Sequence, residues 1–350
     1  MAGLGKIALI GSGETAARGG QAFEMLARQL PVPLNISVME TPAGFELNAS
    51  QVAGRVAEYL QKRLQNYKPR IQLVPARRRG VGGTDDWETL APLVESNLIF
   101  MGPGSPSFTV RQLQGSLAWE LIRARHRLGA ALALASAATV AMGAMSIPVY
   151  EIFKVGEDPH WKPGLNLLGD FGLNCVVVPH WNNTEGGQDV DTGRCFIGRQ
   201  RFEYLQQQLP SGMVVIGIDE HSGVIIDLVK QSCRVTGRDG VHILHGLQDE
   251  QLFCSGDVFP VSLLGDCRLP ENPDDGIDTG VWRKLGDYSI LANAENEDFK
   301  IPELIAALMA QREHARDQKD WKASDKIREQ AAALGWKIID TADGQKAQPG

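Results

Sequence analysis

The sequence lacks the features that mark membrane proteins, secreted proteins and general binders of nucleic acid. No run approaches the roughly 18 consecutive apolar residues of a membrane-spanning helix. Lys and Arg number 35 against 42 Asp and Glu, and a net charge of −7 disfavours a general polyanion binder. The N-terminus leads directly into the apolar stretch KIALIG and lacks the pattern of a secretory signal. We therefore expect a cytoplasmic protein that does not engage membranes.

Cysteine is also scarce. The five cysteines are widely spaced, and neither a CxxC pair nor a Cys/His pattern typical of zinc occurs. This spacing predicts reduced thiols and no metal site, and nothing else in the sequence requires a cofactor. What remains is the composition of an ordinary globular protein, with 43% hydrophobic and 22% charged residues in a chain of 350. That length suffices for one large domain or two smaller ones.

Short apolar runs alternate with helix-like stretches over the first two thirds of the chain. This alternation predicts an α/β fold with a mostly parallel sheet covered by helices on both faces. Ligands bind such sheets beyond the carboxyl ends of the strands, so we expect the functional residues in the loops that follow the strands. The predicted strands are Lys6–Ile10, Asn35–Glu40, Ile71–Val74, Leu98–Met101, Ala131–Ala135, Cys175–Val178 and Met213–Ile218. The predicted helices are Gln21–Leu30, Gln51–Leu64, Thr109–Arg125 and Thr139–Ser146.

The last quarter of the chain has a different character. Residues 266–299 are acidic and rich in Pro and Gly, which predicts a linker after a first domain at 1–265. Residues 300–345 then predict a small helical hairpin, in which Pro302 suits a first helical turn and Gly335 a helix end. A short strand closes this module, and residues 343–350 are predicted to be frayed.

The segment ALALASAATVAMGA, residues 131–144, has the pattern of a nucleophile elbow. An apolar strand stops at Ser136 and small residues lead directly into a helix, as a nucleophile on a tight strand-to-helix turn requires. Leu134 and Ala138 stand where the motif G-x-S-x-G would place glycine. On this segment alone, Ser136 could equally be a helix N-cap in an alanine-rich packing segment.

Two further loops follow predicted strands and supply the remaining groups for acyl transfer. The loop FMGPGSPSF, residues 100–108, offers backbone N–H groups from Gly102 and Gly104, which with that of Ala137 would form an oxyanion hole. His180 follows the strand at 175–178 and opens a polar, glycine-rich loop. A histidine at that edge of the sheet can act as a general base if its strand neighbours that of Ser136.

The glycine loop, elbow serine and strand-end histidine, in this order, resemble the cyanophycinases and peptidase E, the S51-type serine peptidases of the class I glutamine amidotransferase-like fold. The stretches VPHWNN and VIGIDEHSGVIID are part of this resemblance, which covers residues 5–240. It implies a three-layer αβα fold and a small peptide-like substrate cleaved through an acyl-enzyme on Ser136, with His180 as base. Glu151, soon after the nucleophile, is the acid that it favours, and Glu157 is the alternative.

Three polar residues are predicted to contact the substrate. Glu14 lies in the loop GSGETA, which also satisfies the dinucleotide pattern G-x-G-x-x-A, but an anion in that loop would oppose a pyrophosphate. The resemblance instead implies that this loop lines the substrate pocket. Asn182 and Glu185 follow the candidate base, and the signs of Glu14 and Glu185 suggest a cationic group on the substrate.

Residues 301–344 resemble the C-terminal module of cysteinyl-tRNA synthetases, in particular through RDQKDWKASDKIR and the closing GWKIIDTADG. The resemblance implies a weak contact with tRNA or a translation factor through residues 300–345. Eight basic and eight acidic residues at 301–350 give no basic excess for strong independent RNA binding. The second hypothesis is therefore a catalytically inactive homologue that binds such a partner through this module. A homodimer is left open.

Overall fold

The computed structural model describes residues 3–247, 250–287, 302–341 and 344–349. The chain divides into two compact units, Met1–Trp282 and Arg283–Gly350, and each is described by itself. Among the described residues, no helix has the length and apolarity needed to cross a membrane. All five cysteines are unpaired.

The first unit alternates strands and helices over most of its length. Its strands are β1 (Ile7–Ile10), β2 (Asn35–Met39), β3 (Arg70–Val74), β4 (Leu98–Met101), β5 (Ala131–Ala135), β6 (Met145–Ser146), β7 (Lys162–Pro163), β8 (Cys175–Val178), β9 (Val214–Ile218), β10 (Ser222–Asp227), β11 (Ser232–Gly237), β12 (Gly240–His245), β13 (Gln251–Cys254) and β14 (Val258–Pro260). Its helices include α1 (Gln21–Ala27), α2 (Ala49–Arg63), α3 (Trp87–Glu95), α4 (Pro106–Leu113), α5 (Leu117–Arg127), α6 (Ala137–Ala141) and α7 (Arg199–Gln207).

Two sheets place the loops that carry the candidate residues. The larger sheet has the strand order β14-β11-β10-β1-β5-β4-β2-β3. Its last five strands in this order, β1, β5, β4, β2 and β3, pair in parallel. The second sheet has the order β13-β12-β9-β8, and β8 and β9 pair in parallel. The carboxyl ends of β5, β8 and β9 lead into the loops described below.

Strand β5 shows that helices cover both faces of the larger sheet. All five of its residues are buried. Ala131, Ala133 and Ala135 belong to the core cluster formed with α1 and α2. Leu132 and Leu134 alternate with them and therefore point to the opposite face, where they are also fully buried. The predicted three-layer αβα fold with a mostly parallel sheet is confirmed.

One predicted helix is two helices in the structure. The pattern over Thr109–Arg125 predicted a continuous helix, but α4 ends at Leu113 and α5 begins at Leu117. Gly115 has a φ of 64°, a left-handed conformation that ends the first helix. The Ser116 hydroxyl then accepts a hydrogen bond from the backbone N–H of Trp119 and caps the second.

The first unit extends beyond residue 265, where the sequence predicted its end. Ile277 and Val281 are buried, and the backbone N–H of Asp278 donates to the Glu120 carboxylate at 3.0 Å. The acidic composition of residues 266–299 predicted a linker. The few apolar residues of this stretch, Ile277 and Val281 among them, are nevertheless enough to pack its first half into the unit. Residues 288–299 of the predicted linker lie outside the described residues.

The second unit contains α8 (Glu303–Asp317), α9 (Trp321–Ala333) and the hairpin β15 (Trp336–Thr341) with β16 (Gly344–Pro349). The predicted helical hairpin is confirmed. The prediction of a frayed end was wrong, because residues 344–349 pair with β15. A core cluster built on Ile305, Leu308, Ala331 and Ile338 joins the helices to β15.

Arg312 fastens α8 to this hairpin. Its buried guanidinium forms two hydrogen bonds with the Asp340 carboxylate, at 2.8 and 2.9 Å, and Arg316 donates to the same carboxylate. The hydrogen bond from Arg312 is the main cause that lowers the pKa of Asp340 from 3.8 to about 2. The pairing is therefore complete above pH 3.8 and is lost as the pH falls towards 2.

We expect Asp340→Asn to destabilise the second unit by about 1 kcal/mol at pH 7, an amount kept small because the carboxylate is half exposed. The difference from the wild type should shrink as the pH falls towards 2, where Asp340 is protonated in the unfolded state and about half protonated in the folded state. Hydrogen exchange of α8 and α9 at pH 7 and pH 2 measures this difference in stability. If the variant differs from the wild type by the same amount at both pH values, the pairing does not depend on the charge of Asp340.

Candidate active site

Ser136 occupies a sharp turn between β5 and α6. Its backbone angles, φ 51° and ψ −115°, lie in a region that L-residues rarely adopt. Its N–H donates to the carbonyl of Ile10 on the neighbouring strand, and the Thr139 hydroxyl is within hydrogen-bond distance of the carbonyls of Ile10 and Leu134. The elbow forms without the motif glycines because Leu134 points into the far face of the sheet and Ala138 is small.

The strain at the elbow has a measurable consequence. We expect Ser136→Gly to be more stable than Ser136→Ala by about 1 kcal/mol, because glycine adopts a positive φ at little cost and alanine does not. Urea unfolding of the two variants makes the comparison without any contribution from the lost hydroxyl. Equal stability, or a more stable alanine variant, would show that the turn is not strained.

His180 links the Ser136 hydroxyl to a carboxylate. Its Nε2 lies 2.9 Å from the Ser136 Oγ, and its Nδ1 lies 3.0 Å from Oε1 of Glu220. The Asn183 amide donates to the same Glu220 oxygen at 2.7 Å. Because a carboxylate only accepts hydrogen bonds, Nδ1 of His180 carries a proton and Nε2 is left to accept one from Ser136. The arrangement is that of a Ser-His-acid triad.

The carboxylate that contacts His180 is that of Glu220 and not that of Glu151, which the sequence favoured as the acid. Glu151 forms an ion pair with Lys162 at 3.2 Å, and the alternative, Glu157, lies beside His160. The hydrogen bond from His180 is the main cause that lowers the pKa of Glu220 below its usual value of 4.5. Glu220 is therefore ionised at neutral pH, as the orienting acid must be.

A signal for Glu220 was present in the sequence. It follows β9 by two residues, just as His180 follows β8 by two residues, and these strands pair in parallel. Side chains beyond the carboxyl ends of adjacent parallel strands meet at one edge of the sheet. The sequence analysis noted the segment GIDE around Glu220 as part of the resemblance but looked for the acid close to Ser136 along the chain.

A left-handed turn at residues 194–196 contacts both the backbone and the ring of His180. Arg194, Cys195 and Phe196 have φ angles of 56°, 61° and 64°. The Cys195 N–H donates to the carbonyl of His180 at 3.2 Å, and the Phe196 ring centroid lies 5.2 Å from that of the imidazole. Three consecutive residues in this region are costly, so the surrounding contacts must fix the turn.

Asn182 supports the acid and does not line the cavity at Ser136. Its side-chain oxygen accepts a hydrogen bond from the backbone N–H of Glu220 at 2.8 Å, and its amide faces Asp239. The sequence analysis placed Asn182 among the substrate-binding residues. The structure instead uses it to join the loop that carries His180 to the loop that carries Glu220.

The predicted oxyanion-hole residues are brought together in part. Ala137 begins helix α6, so its N–H has no partner within the helix, and it lines the cavity next to Ser136 together with Gly104. Gly102 does not line this cavity, and its carbonyl accepts from the Ala138 N–H at 3.3 Å. The backbone at Gly104 lies against the Pro42 carbonyl, where any Cβ would clash, so glycine is required there.

Glu14 lies close to the triad but outside the lining of the cavity. Burial raises its pKa, an effect that its own backbone N–H and the nearby His180 and His221 partly offset. The loop is not built like a dinucleotide site, because helix α1 begins only at Gln21, five residues after Ala16. In a dinucleotide site the glycine motif instead leads directly into the helix whose N-terminus binds the pyrophosphate.

The cavity beside Ser136 has a volume of about 470 Å³. Ser136 and His180 line this cavity, and so does the exposed Glu185, which was predicted to contact the substrate. Over the described residues, no cluster of three His, Cys, Asp or Glu side chains could hold a metal ion. The chemistry visible at this site is that of a hydroxyl, an imidazole and a carboxylate.

Comparison with solved structures bears on the first unit. The chain superimposes on a peptidase from an acI-B1 Actinobacterium with a TM-score of 0.58 and 20% identity, covering 73% of this chain and 97% of that one. This likeness confirms the fold that the S51-type resemblance implied. A proposed peptidase E from Listeria monocytogenes EGD-e gives a TM-score of 0.43 at 15% identity, covering 69% of this chain and 98% of that one.

Comparison with known sequences bears on the second unit. Residues 299–346 match the family described as Cysteinyl-tRNA ligase anticodon binding domain. The cysteine–tRNA ligase 1 of Burkholderia lata is 46% identical over 46 residues, which are 13% of this chain. The resemblance of the C-terminal module is confirmed. The chain spans only 10% of that ligase, so the match concerns the module and not the enzyme.

Proposed function

We propose that the first unit is a serine hydrolase that cleaves peptide-like or other amide bonds. The observation that carries the proposal is the hydrogen-bonded chain from Ser136 through His180 to Glu220, at 2.9 and 3.0 Å. Ser136 lies on a strained elbow and lines a cavity. A serine that only caps a helix in a packing segment would need neither the strain nor the cavity. The structural neighbour described as a peptidase supports a hydrolase of this type.

In the proposed reaction, the Ser136 Oγ attacks the substrate carbonyl carbon while its proton passes to Nε2 of His180. The Ala137 N–H, with a backbone N–H near Gly104, binds the oxyanion of the tetrahedral intermediate. The imidazolium, stabilised by Glu220, then protonates the leaving amine as the C–N bond breaks. Water, deprotonated by His180, releases the acyl group from Ser136 and restores the enzyme.

A fluorophosphonate probe tests this proposal without knowledge of the substrate. We expect the wild type to gain one covalent adduct, which peptide mapping locates on Ser136, whereas Ser136→Ala gains none. Ser107, a second serine close to this region, offers a matched control, and Ser107→Ala should label like the wild type. Equal labelling of wild type and Ser136→Ala would reject the hydrolase.

The second unit supports a further proposal, a weak contact with tRNA. The observation that favours it is the match to a domain described as anticodon binding. Lys322 and Lys326 are exposed one turn apart on α9, and the Trp321 indole beside them is 57% exposed. Basic side chains next to an aromatic ring can bind a phosphate backbone and stack on a base.

We expect the double variant Lys322→Glu and Lys326→Glu to weaken binding of tRNA by the full chain and to lower the salt dependence of log K by about 1.5. Filter binding at several salt concentrations measures both. The control carries the same charge change in the first unit, at Arg55 and Lys62, and should bind like the wild type. Equal binding by both variants would reject a tRNA contact through α9.

A further inference from the structure

The cavity at Ser136 is closed on its inner side by apolar groups. Val140 and Val149 are buried in its wall, and the rings of Phe153 and Phe196 are partly buried around it. The segment that supplies Val149 and Phe153 lies between β6 and β7, and it packs into the same core cluster as β8. The wall is therefore part of the folded core and is present before a substrate binds.

The charged side chains that line this cavity are exposed to solvent. Lys154 and Glu185 are the charged side chains among the described residues that line it, and both are exposed. The polar groups deeper in the wall are already engaged or neutral. The Thr192 hydroxyl accepts from the Gly186 N–H at 3.0 Å, and burial raises the pKa of the Cys195 thiol to about 12. The Lys154 ammonium lies 4.6 Å from the centroid of the Phe153 ring, at an exposed part of the wall. A charged group buried against Val140 and Val149 would lose its water.

The cavity is also large enough for a bulky group. Its volume of about 470 Å³ lies within the range of sites that enclose small organic ligands. Because Ser136, Ala137 and Gly104 line it together with the apolar residues, a carbonyl held between the nucleophile and the backbone donors places its neighbouring substituent in the same cavity.

We propose that this cavity binds a large apolar side chain, of aromatic type, on the acyl part of the substrate. The inference rests on the proposed function and adds the substrate class to it. It replaces the expectation of a cationic substrate group, which came from the signs of Glu14 and Glu185 alone. Phe153 and Val149 are then residues that determine specificity.

Competition for the fluorophosphonate label tests the inference. Boronic acids add reversibly to an activated serine, so 2-phenylethylboronic acid, 2-carboxyethylboronic acid and 3-aminopropylboronic acid compare an aromatic, an anionic and a cationic group. We expect the phenylethyl compound to protect Ser136 at a concentration at least about 50-fold lower than either charged compound. Equal or better protection by a charged compound would overturn the inference and leave the hydrolase intact. Absence of any label on Ser136 would overturn the proposed function and the inference with it.

A pair of variants on the same segment locates the specificity. Phe153→Asp puts a carboxylate on the wall, and we expect it to reduce the advantage of the phenylethyl over the aminopropyl compound by at least about 10-fold. Val155→Asp makes the same kind of change at a site that is 73% exposed and outside the cavity lining, and it should keep the wild-type ratio between the two compounds. If Phe153→Asp also keeps that ratio, the side chain does not bind along this wall. Uncompeted labelling of both variants establishes that their triads are intact.

Discussion

Replacement of Ser136 by alanine is expected to lower kcat for hydrolysis of an amide or activated ester by about 10⁶-fold. In the proposed mechanism the Ser136 Oγ forms the acyl-enzyme, and the oxyanion donors that remain in the variant cannot replace it. The variant should keep the fold, because alanine has the same backbone preferences as serine at this turn. Circular dichroism and the urea unfolding transition separate loss of chemistry from loss of structure.

Two results would contradict this expectation. A variant that retains a tenth or more of the wild-type kcat would show that another group attacks the carbonyl. Loss of fold in Ser136→Ala would show that the hydroxyl has a structural role at the elbow. Ser107→Ala is the control for the effect of removing a serine hydroxyl from this region.

Replacement of Glu220 by glutamine is expected to lower kcat by about 10³- to 10⁴-fold. A glutamine amide can donate to Nδ1 of His180, which favours the tautomer with its proton on Nε2, and that tautomer cannot accept the proton of Ser136. The imidazolium also loses the negative charge that stabilises it. Because the Asn182 side chain accepts from the backbone N–H of residue 220, the isosteric change should keep this loop in place.

Glu151→Gln is the matched control for this prediction. It removes a carboxylate from an ion pair with Lys162, outside the cavity lining, and we expect kcat within about twofold of the wild type because such partly exposed pairs contribute little. Glu220 is the carboxylate that contacts His180 in the structure, and Glu151 is the acid that the sequence favoured. A large loss in Glu151→Gln with little change in Glu220→Gln would reverse the assignment.

The positions of Ser136 and His180 could be predicted because each follows a buried strand directly. Apolar runs identify strands, and the loops that follow parallel strands are where functional side chains are expected. In the structure β5 and β8 belong to different sheets, and the hydrogen bond between Ser136 and His180 shows that their carboxyl ends meet. The elbow was less certain from sequence because Leu134 replaces a glycine. Only the alternation of β5 between the two faces shows that this side chain points away from the turn.

Glu220 could not be chosen from spacing along the chain. Its distance to His180 depends on the pairing of β8 with β9, and strand pairing is a tertiary contact that a single sequence does not display. The break between α4 and α5 depends in the same way on one left-handed residue, Gly115. The roles of Asn182 and Gly102 differ from the prediction because both use their hydrogen bonds to join loops of the site.

Trapping of the acyl-enzyme is the most direct test of the account. A p-nitrophenyl ester of 3-phenylpropanoic acid combines a good leaving group with the apolar group that the cavity is inferred to bind. After rapid acid quench, we predict one phenylpropanoyl adduct per chain on Ser136 and a burst of p-nitrophenol of equal amplitude. Glu220→Gln should form the adduct at least about 10³-fold more slowly. Turnover of the ester with no adduct, or with the adduct on another residue, would contradict a nucleophilic Ser136.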